Sequence, residues 1–100
     1  MSTTETFGSI IKGDKPVLVD FFATWCGPCK RMKPNLEQFA SATEEVKVVM
    51  ADVDGLQDIL PDYDIVSVPT IVLFNQGKEV KRRSGYMSVE DLEKFSAINE

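Results

Sequence analysis

Two periods of apolar residues run along this chain. Val17-Leu18-Val19-Asp20-Phe21-Phe22-Ala23 is continuously apolar except for Asp20, the pattern of a central strand covered on both faces. Val46 to Val53 reads as a second buried strand. Between them, Met32, Leu36, Phe39 and Ala40 recur at helical spacing and predict a helix from Cys29 to about Ala42. Pro34 falls inside that helix and is expected to kink it, because its ring removes one hydrogen bond and crowds the preceding turn. Thr6 to Lys12 reads as a short first helix ended by Gly13, after a frayed stretch over residues 1–5. A weak helix is expected around Leu56 to Leu60. Thr70 to Phe74, the turn Asn75-Gln76-Gly77, and Lys78 to Ser84 read as a hairpin. Ser88 is a good N-cap for a last helix, with Glu90 and Asp91 in its first turn and Leu92, Phe95 and Ile98 on one face. Strand, helix, strand, helix, hairpin and helix together predict an α/β sheet with helices on both faces.

One hundred residues are enough for one domain, spanning 1–100, and too few for a second core. The apolar runs are strand-length, so no membrane span is expected. Met1-Ser2-Thr3-Thr4-Glu5 has neither the basic head nor the apolar region of an export signal. A cytoplasmic location is therefore expected, where a permanent structural disulfide is rare and a cycling one is at home. The net charge of −5 argues against nucleic acid or an anionic membrane surface as a partner. There is no histidine, which removes Cys-His and Ser-His nucleophile arrangements and most zinc sites.

Against that background, Trp25-Cys26-Gly27-Pro28-Cys29 stands out. Its two cysteines are the only ones in the chain. At a spacing of three they share one helix face, and a loop so short gains little stability when bridged. A bond that is easy to make and break, with little structural return, points to a redox switch. Pro28 suits the first helical turn, where its missing N–H is no loss. That places Cys26 at the helix N-terminus, where free amides and the dipole favour the reactive thiolate. Lys30, Arg31 and Lys33 add to the same field. Cys29, a turn inside, is expected to be more buried and slower to react. The pair suits a two-step exchange in which Cys26 attacks a substrate disulfide and Cys29 then releases the reduced product.

Trp-Cys-Gly-Pro-Cys-Lys after a Val-Asp-Phe strand, followed by Val68-Pro69-Thr70, resembles the thioredoxin family from about Phe7 to the C-terminus. The resemblance implies a thioredoxin fold and a general protein disulfide reductase, with Cys26 as nucleophile and Cys29 as resolving thiol. No cofactor would be bound. Reducing equivalents would come from NADPH through a flavin-containing thioredoxin reductase, with protein disulfides as substrates and a monomer as the working form. Asp20 sits in an apolar strand, where an unpaired carboxylate is costly and its pKa should rise. That suits the family's proton acceptor for Cys29, acting through water. Pro69 matches the family's cis-proline facing the disulfide, and Val68 would lend its backbone to an extended substrate segment. Trp25 is expected on an apolar docking surface, which Gly85 and the adjacent Tyr86 would border. Gly27 and Pro28 set the motif's geometry and tune it towards reduction, since oxidising members more often carry a histidine between the cysteines.

Three departures from the family pattern are visible. The first strand is truncated or absent, because only about six residues precede the first helix; that leaves a sheet edge open or covered by something else. Met50 occupies the position where the family often places a lysine facing the buried aspartate. Phe22 stands where a second tryptophan is common. Two other readings compete: a binding module that keeps the fold without the chemistry, and a metal-binding CxxC, which lacks further Cys or His ligands. The acidic stretch Asp52 to Asp64 and the basic run Lys78, Lys81, Arg82 and Arg83 read as solvated faces.

Overall fold

The structure, a computed structural model, describes residues 3–97. Its elements are α1 (Thr3–Ile11), β1 (Val17–Phe22), α2 (Gly27–Ala42), β2 (Lys47–Asp52), β3 (Thr70–Asn75), β4 (Lys78–Ser84) and α3 (Val89–Ser96). The strands form one mixed sheet in the order β2-β1-β3-β4. β1 and β2 are parallel, while β3 is antiparallel to both β1 and β4. The connection between the parallel strands is α2, as a parallel pair requires.

Local chemistry explains most boundaries. Gln76 and Gly77 adopt φ of 54° and 83°, and two left-handed residues make the turn that matches the twist of a β-hairpin. Ser88 caps α3 reciprocally: its hydroxyl accepts from the Asp91 amide and its own amide donates to the Asp91 carboxylate, both at 3.1 Å. The bond from the Ser88 amide, with the Ser88 side chain beside it, holds the Asp91 carboxyl below its ordinary range. Ile98, expected on the packed face of α3, lies outside the described residues, as do residues 1 and 2. The remainder of the stretch expected to fray, residues 3–5, belongs to α1. Pro34 is accommodated within a helix that continues to Ala42.

The sheet's two faces bury separate clusters. Phe7 and Ile11 of α1 pack with Val17, Val19, Phe21, Val72 and Phe74 on one face. Met32, Leu36 and Phe39 of α2 and Leu92 and Phe95 of α3 pack with Leu18, Ile71 and Leu73 on the other. Helices therefore cover both faces, as the residue pattern predicted.

Among the described residues no strand precedes α1, so β2 is an outer strand. In a parallel ladder both backbone groups of a residue face the same neighbour. The Lys47 amide donates to Pro16 O at 2.9 Å, so Lys47, Val49 and Ala51 face β1. Val48, Met50 and Asp52 turn their backbone groups towards the open edge. The helix expected at Leu56 to Leu60 is replaced by two short 3₁₀ turns, Val53–Gly55 and Leu60–Tyr63. The Asp52 carboxylate accepts the Asp54 amide at 3.0 Å and so caps the first of these turns. Ile59 is meanwhile fully buried, which anchors the loop between the turns.

Candidate active site

Topology gathers the candidate residues at one end of the sheet. β1 delivers the chain to Ala23, and Cys26 caps α2 directly after it. Because Phe21 pairs with Thr70 in the antiparallel β1–β3 register, Val68 and Pro69 lie beside the exit of β1. Ser84 pairs with Thr70 in turn, which brings Gly85 alongside, and the Gly85 amide donates to Pro69 O at 3.0 Å. Gly85 has φ of +98°, a conformation that an L side chain rarely adopts. The Val68–Pro69 bond is cis.

Cys26 and Cys29 are joined in a disulfide, with Cα atoms 5.3 Å apart. Cys26 takes an extended backbone (φ −91°, ψ 117°), and its sulfur accepts the Cys29 amide at 3.2 Å. The helix N-terminus thus directs an amide donor at this sulfur. The expected contrast in burial is corrected: Cys26 is 5 % exposed and Cys29 3 %. Both side chains pack into the α1-side cluster, so what separates the two thiols is position at the helix end. Gly27 is exposed and Pro28 half-buried in the first turn.

Asp20 is completely buried. Strand alternation puts it on the same face as Leu18, towards α2 and α3. Its neighbours in register are Met50 on β2 and Ile71 on β3. Neither carboxylate oxygen has a hydrogen-bond partner among the described residues. Burial pushes its pKa from 3.8 up to about 7, because the charged form loses its hydration. A cavity of about 270 Å³ borders its register partner Met50 and is lined also by Cys29, Phe22, Lys30 and Lys33 among others.

Trp25 is 68 % exposed, which disposes of a core role. Its indole N–H donates to Asp54 Oδ2 at 3.1 Å. Together with Val53, Leu60, Ile65, Val66, Ser67 and Val68 it lines an apolar cavity of about 230 Å³. The acidic stretch, read from sequence as a solvated face, therefore supplies the residue that orients the tryptophan. The basic run is also more than a solvated face. Arg82 pairs with Glu79 at 2.7 Å and donates to the carbonyls of Tyr63 and Asp64 at 2.7 and 2.9 Å, which ties the second 3₁₀ turn to β4. Neither link has a local sequence signal, since the partners are many residues apart.

Comparison with known proteins agrees with this geometry. A model of the Thioredoxin family matches residues 1–97. The chain belongs to the thioredoxin family. It is 47% identical over 92 residues to a thioredoxin of Alicyclobacillus acidocaldarius subsp. acidocaldarius, covering 91% of this chain and 88% of that one. It is 45% identical over 80 residues to a bifunctional thioredoxin reductase/thioredoxin of Mycobacterium leprae, covering 79% of this chain and 18% of the relative. The structure of mitochondrial thioredoxin 3 from Saccharomyces cerevisiae in its oxidized form superimposes with a TM-score of 0.83 at 36% identity, covering 92% of this chain and 86% of that one. Family membership and the closed cysteine pair make this thioredoxin-family chain a thiol–disulfide oxidoreductase with protein-disulfide reductase activity.

Proposed function

We propose that the reduced protein donates electrons to protein disulfides through a mixed disulfide on Cys26. The Cys26 thiolate, favoured by the amide aimed at its sulfur, attacks one sulfur of the target bond. A Cys26–target disulfide forms, and the first target thiolate leaves. Asp20 takes the proton of Cys29, through a water that the cavity bordered by Cys29 and Met50 would admit. The Cys29 thiolate then attacks the Cys26 sulfur, the Cys26–Cys29 bond closes, and the second target thiolate departs and is protonated. Two electrons pass to the target and the protein ends oxidised.

The observation that carries this reading is the closed Cys26–Cys29 pair with Cys26 at the helix cap, accepting the Cys29 amide at 3.2 Å. Trp25, Val68, Pro69 and Gly85 surround it and form the proposed docking surface. Val68 would offer its backbone to an extended target. Reduction of the pair is assigned to a thioredoxin reductase drawing on NADPH; the relative that joins reductase and thioredoxin in one chain supports that partner. The working form is proposed to be a cytoplasmic monomer, serving as an electron donor to several disulfide proteins.

Dithiol-driven reduction of insulin, followed by turbidity, tests the reading with wild type, Cys26→Ser and Cys29→Ser. Wild type alone should catalyse. Cys29→Ser should accumulate a mixed disulfide with the target, visible by mass spectrometry, and Cys26→Ser should not. Trapping on Cys29 instead would reverse the two roles, and catalysis by Cys26→Ser would remove the proposed nucleophile.

A further inference from the structure

Four large apolar side chains stand exposed on the described surface: Trp25, Val66, Val80 and Tyr86. Trp25 and Val66 line the apolar cavity beside Val68, on the α1 side of the sheet. Tyr86 is different. It is 47 % exposed, yet it lies in a segment pinned at every residue. The Gly85 amide reaches Pro69 O at 3.0 Å, the Met87 amide reaches Met32 Sδ at 3.2 Å, and Asn35 Nδ2 donates at 2.9 Å to both Tyr86 Oη and Met87 O. Met32 and Met87 belong to the cluster on the α2–α3 face. Pro69 therefore has an exposed aromatic on each side, Trp25 towards one sheet face and Tyr86 towards the other.

Ordering an exposed tyrosine costs conformational entropy, and its uncovered ring contributes little to the core. An amphipathic ring held ready at low further entropy cost is what a recognition surface uses. Asn35 donates to the phenolic oxygen and fixes the ring in place, which leaves the ring face and the hydroxyl hydrogen open to a ligand. Asn35 lies seven residues, about two turns, beyond Pro28 on the same stripe of α2, so the ring stands over the flank of the helix that Cys26 caps.

We propose that Tyr86, anchored by Asn35, is a specificity-determining residue that receives a bulky apolar or aromatic side chain next to the reactive cysteine of the target. This rests on the reductase reading and deepens it: the substrate class becomes disulfides in extended, apolar-flanked segments. Continuity with the site is direct, through the bond between Gly85 and Pro69. A segment crossing Cys26 along Val68 would place flanking side chains against Trp25 on one side and Tyr86 on the other.

The test compares two synthetic peptide disulfides that differ only in having Phe or Ser beside the cysteine. For wild type, kcat/KM should favour the Phe peptide about fivefold, carried by KM, as expected for one aromatic contact. Tyr86→Ala should bring the ratio to within about twofold, and Tyr86→Phe, which keeps the ring and loses the anchor, should fall between. General damage to the fold would lower both rates and leave the ratio unchanged. An unchanged ratio in Tyr86→Ala, or no preference in wild type, overturns the inference. A wild type inert towards both peptides overturns the reductase reading itself.

Discussion

Asp20 on β1 and Met50 on β2 are register partners on one face of the sheet, and the thioether next to the buried carboxylate offers it neither a charge nor an N–H. With no cation opposite, Asp20 holds its proton up to about pH 7, against 3.8 for the ordinary side chain. The folded state therefore binds the proton more tightly than the unfolded chain.

That difference sets a pH dependence of stability whose sign is opposite to that of a salt-bridged carboxylate. Between about pH 4 and pH 7 the unfolded chain has lost the proton that the native protein keeps, so stability falls as pH rises. Above pH 7 the loss levels off, at a size on the order of 4 kcal/mol from the shift between those two values. Asp20→Asn should abolish this slope in denaturant titrations at stepped pH and leave the fold intact or more stable at neutral pH. The same substitution should slow resolution by Cys29 most near neutrality; unchanged single-turnover kinetics would remove Asp20 as proton acceptor.

Met50→Lys is expected to place an ammonium opposite Asp20, since neighbouring strands lie about 5 Å apart. An opposite charge at that range lowers a carboxyl pKa by about one unit or more. The pH profile of mixed-disulfide resolution should shift to lower pH by a similar amount. A profile that stays in place would show that Asp20 does not set it.

Phe7 and Ile11 hold α1 to the sheet. Phe7 is 4 % exposed and its centroid lies 5.7 Å from Phe21, 5.1 Å from Tyr63 and 6.3 Å from Phe74. Phe7→Ala should cost about 3 kcal/mol and lower the thermal midpoint by more than about 10 °C.

The open edge of β2 begins with Lys47, an exposed charge of the kind that keeps edge strands from pairing with one another. Lys47→Val should promote concentration-dependent association in sedimentation velocity, while wild type stays monomeric. Association of wild type through the same edge would show that this lysine does not guard it.

Much of the protein was legible in the chain because the relevant physics is local. The Val17–Ala23 run and the hairpin around Gln76-Gly77 carry their own periodicity and turn chemistry, and Pro28 in the first turn places Cys26 at a helix cap without reference to any other element. The burial of Asp20 also followed from its neighbours, since three apolar residues precede it and three follow. Leu56 to Leu60 misled because a short apolar spacing fits a helix equally well. Only the tertiary structure decided that Ile59 would anchor a loop there. It also decided that Trp25 would be held by Asp54, 29 residues away, and Tyr86 by Asn35, 51 residues away. It buried Cys26 almost as deeply as Cys29. Such pairings carry no local signal: side chains this far apart along the chain meet only once sheet order and register have fixed where each loop ends.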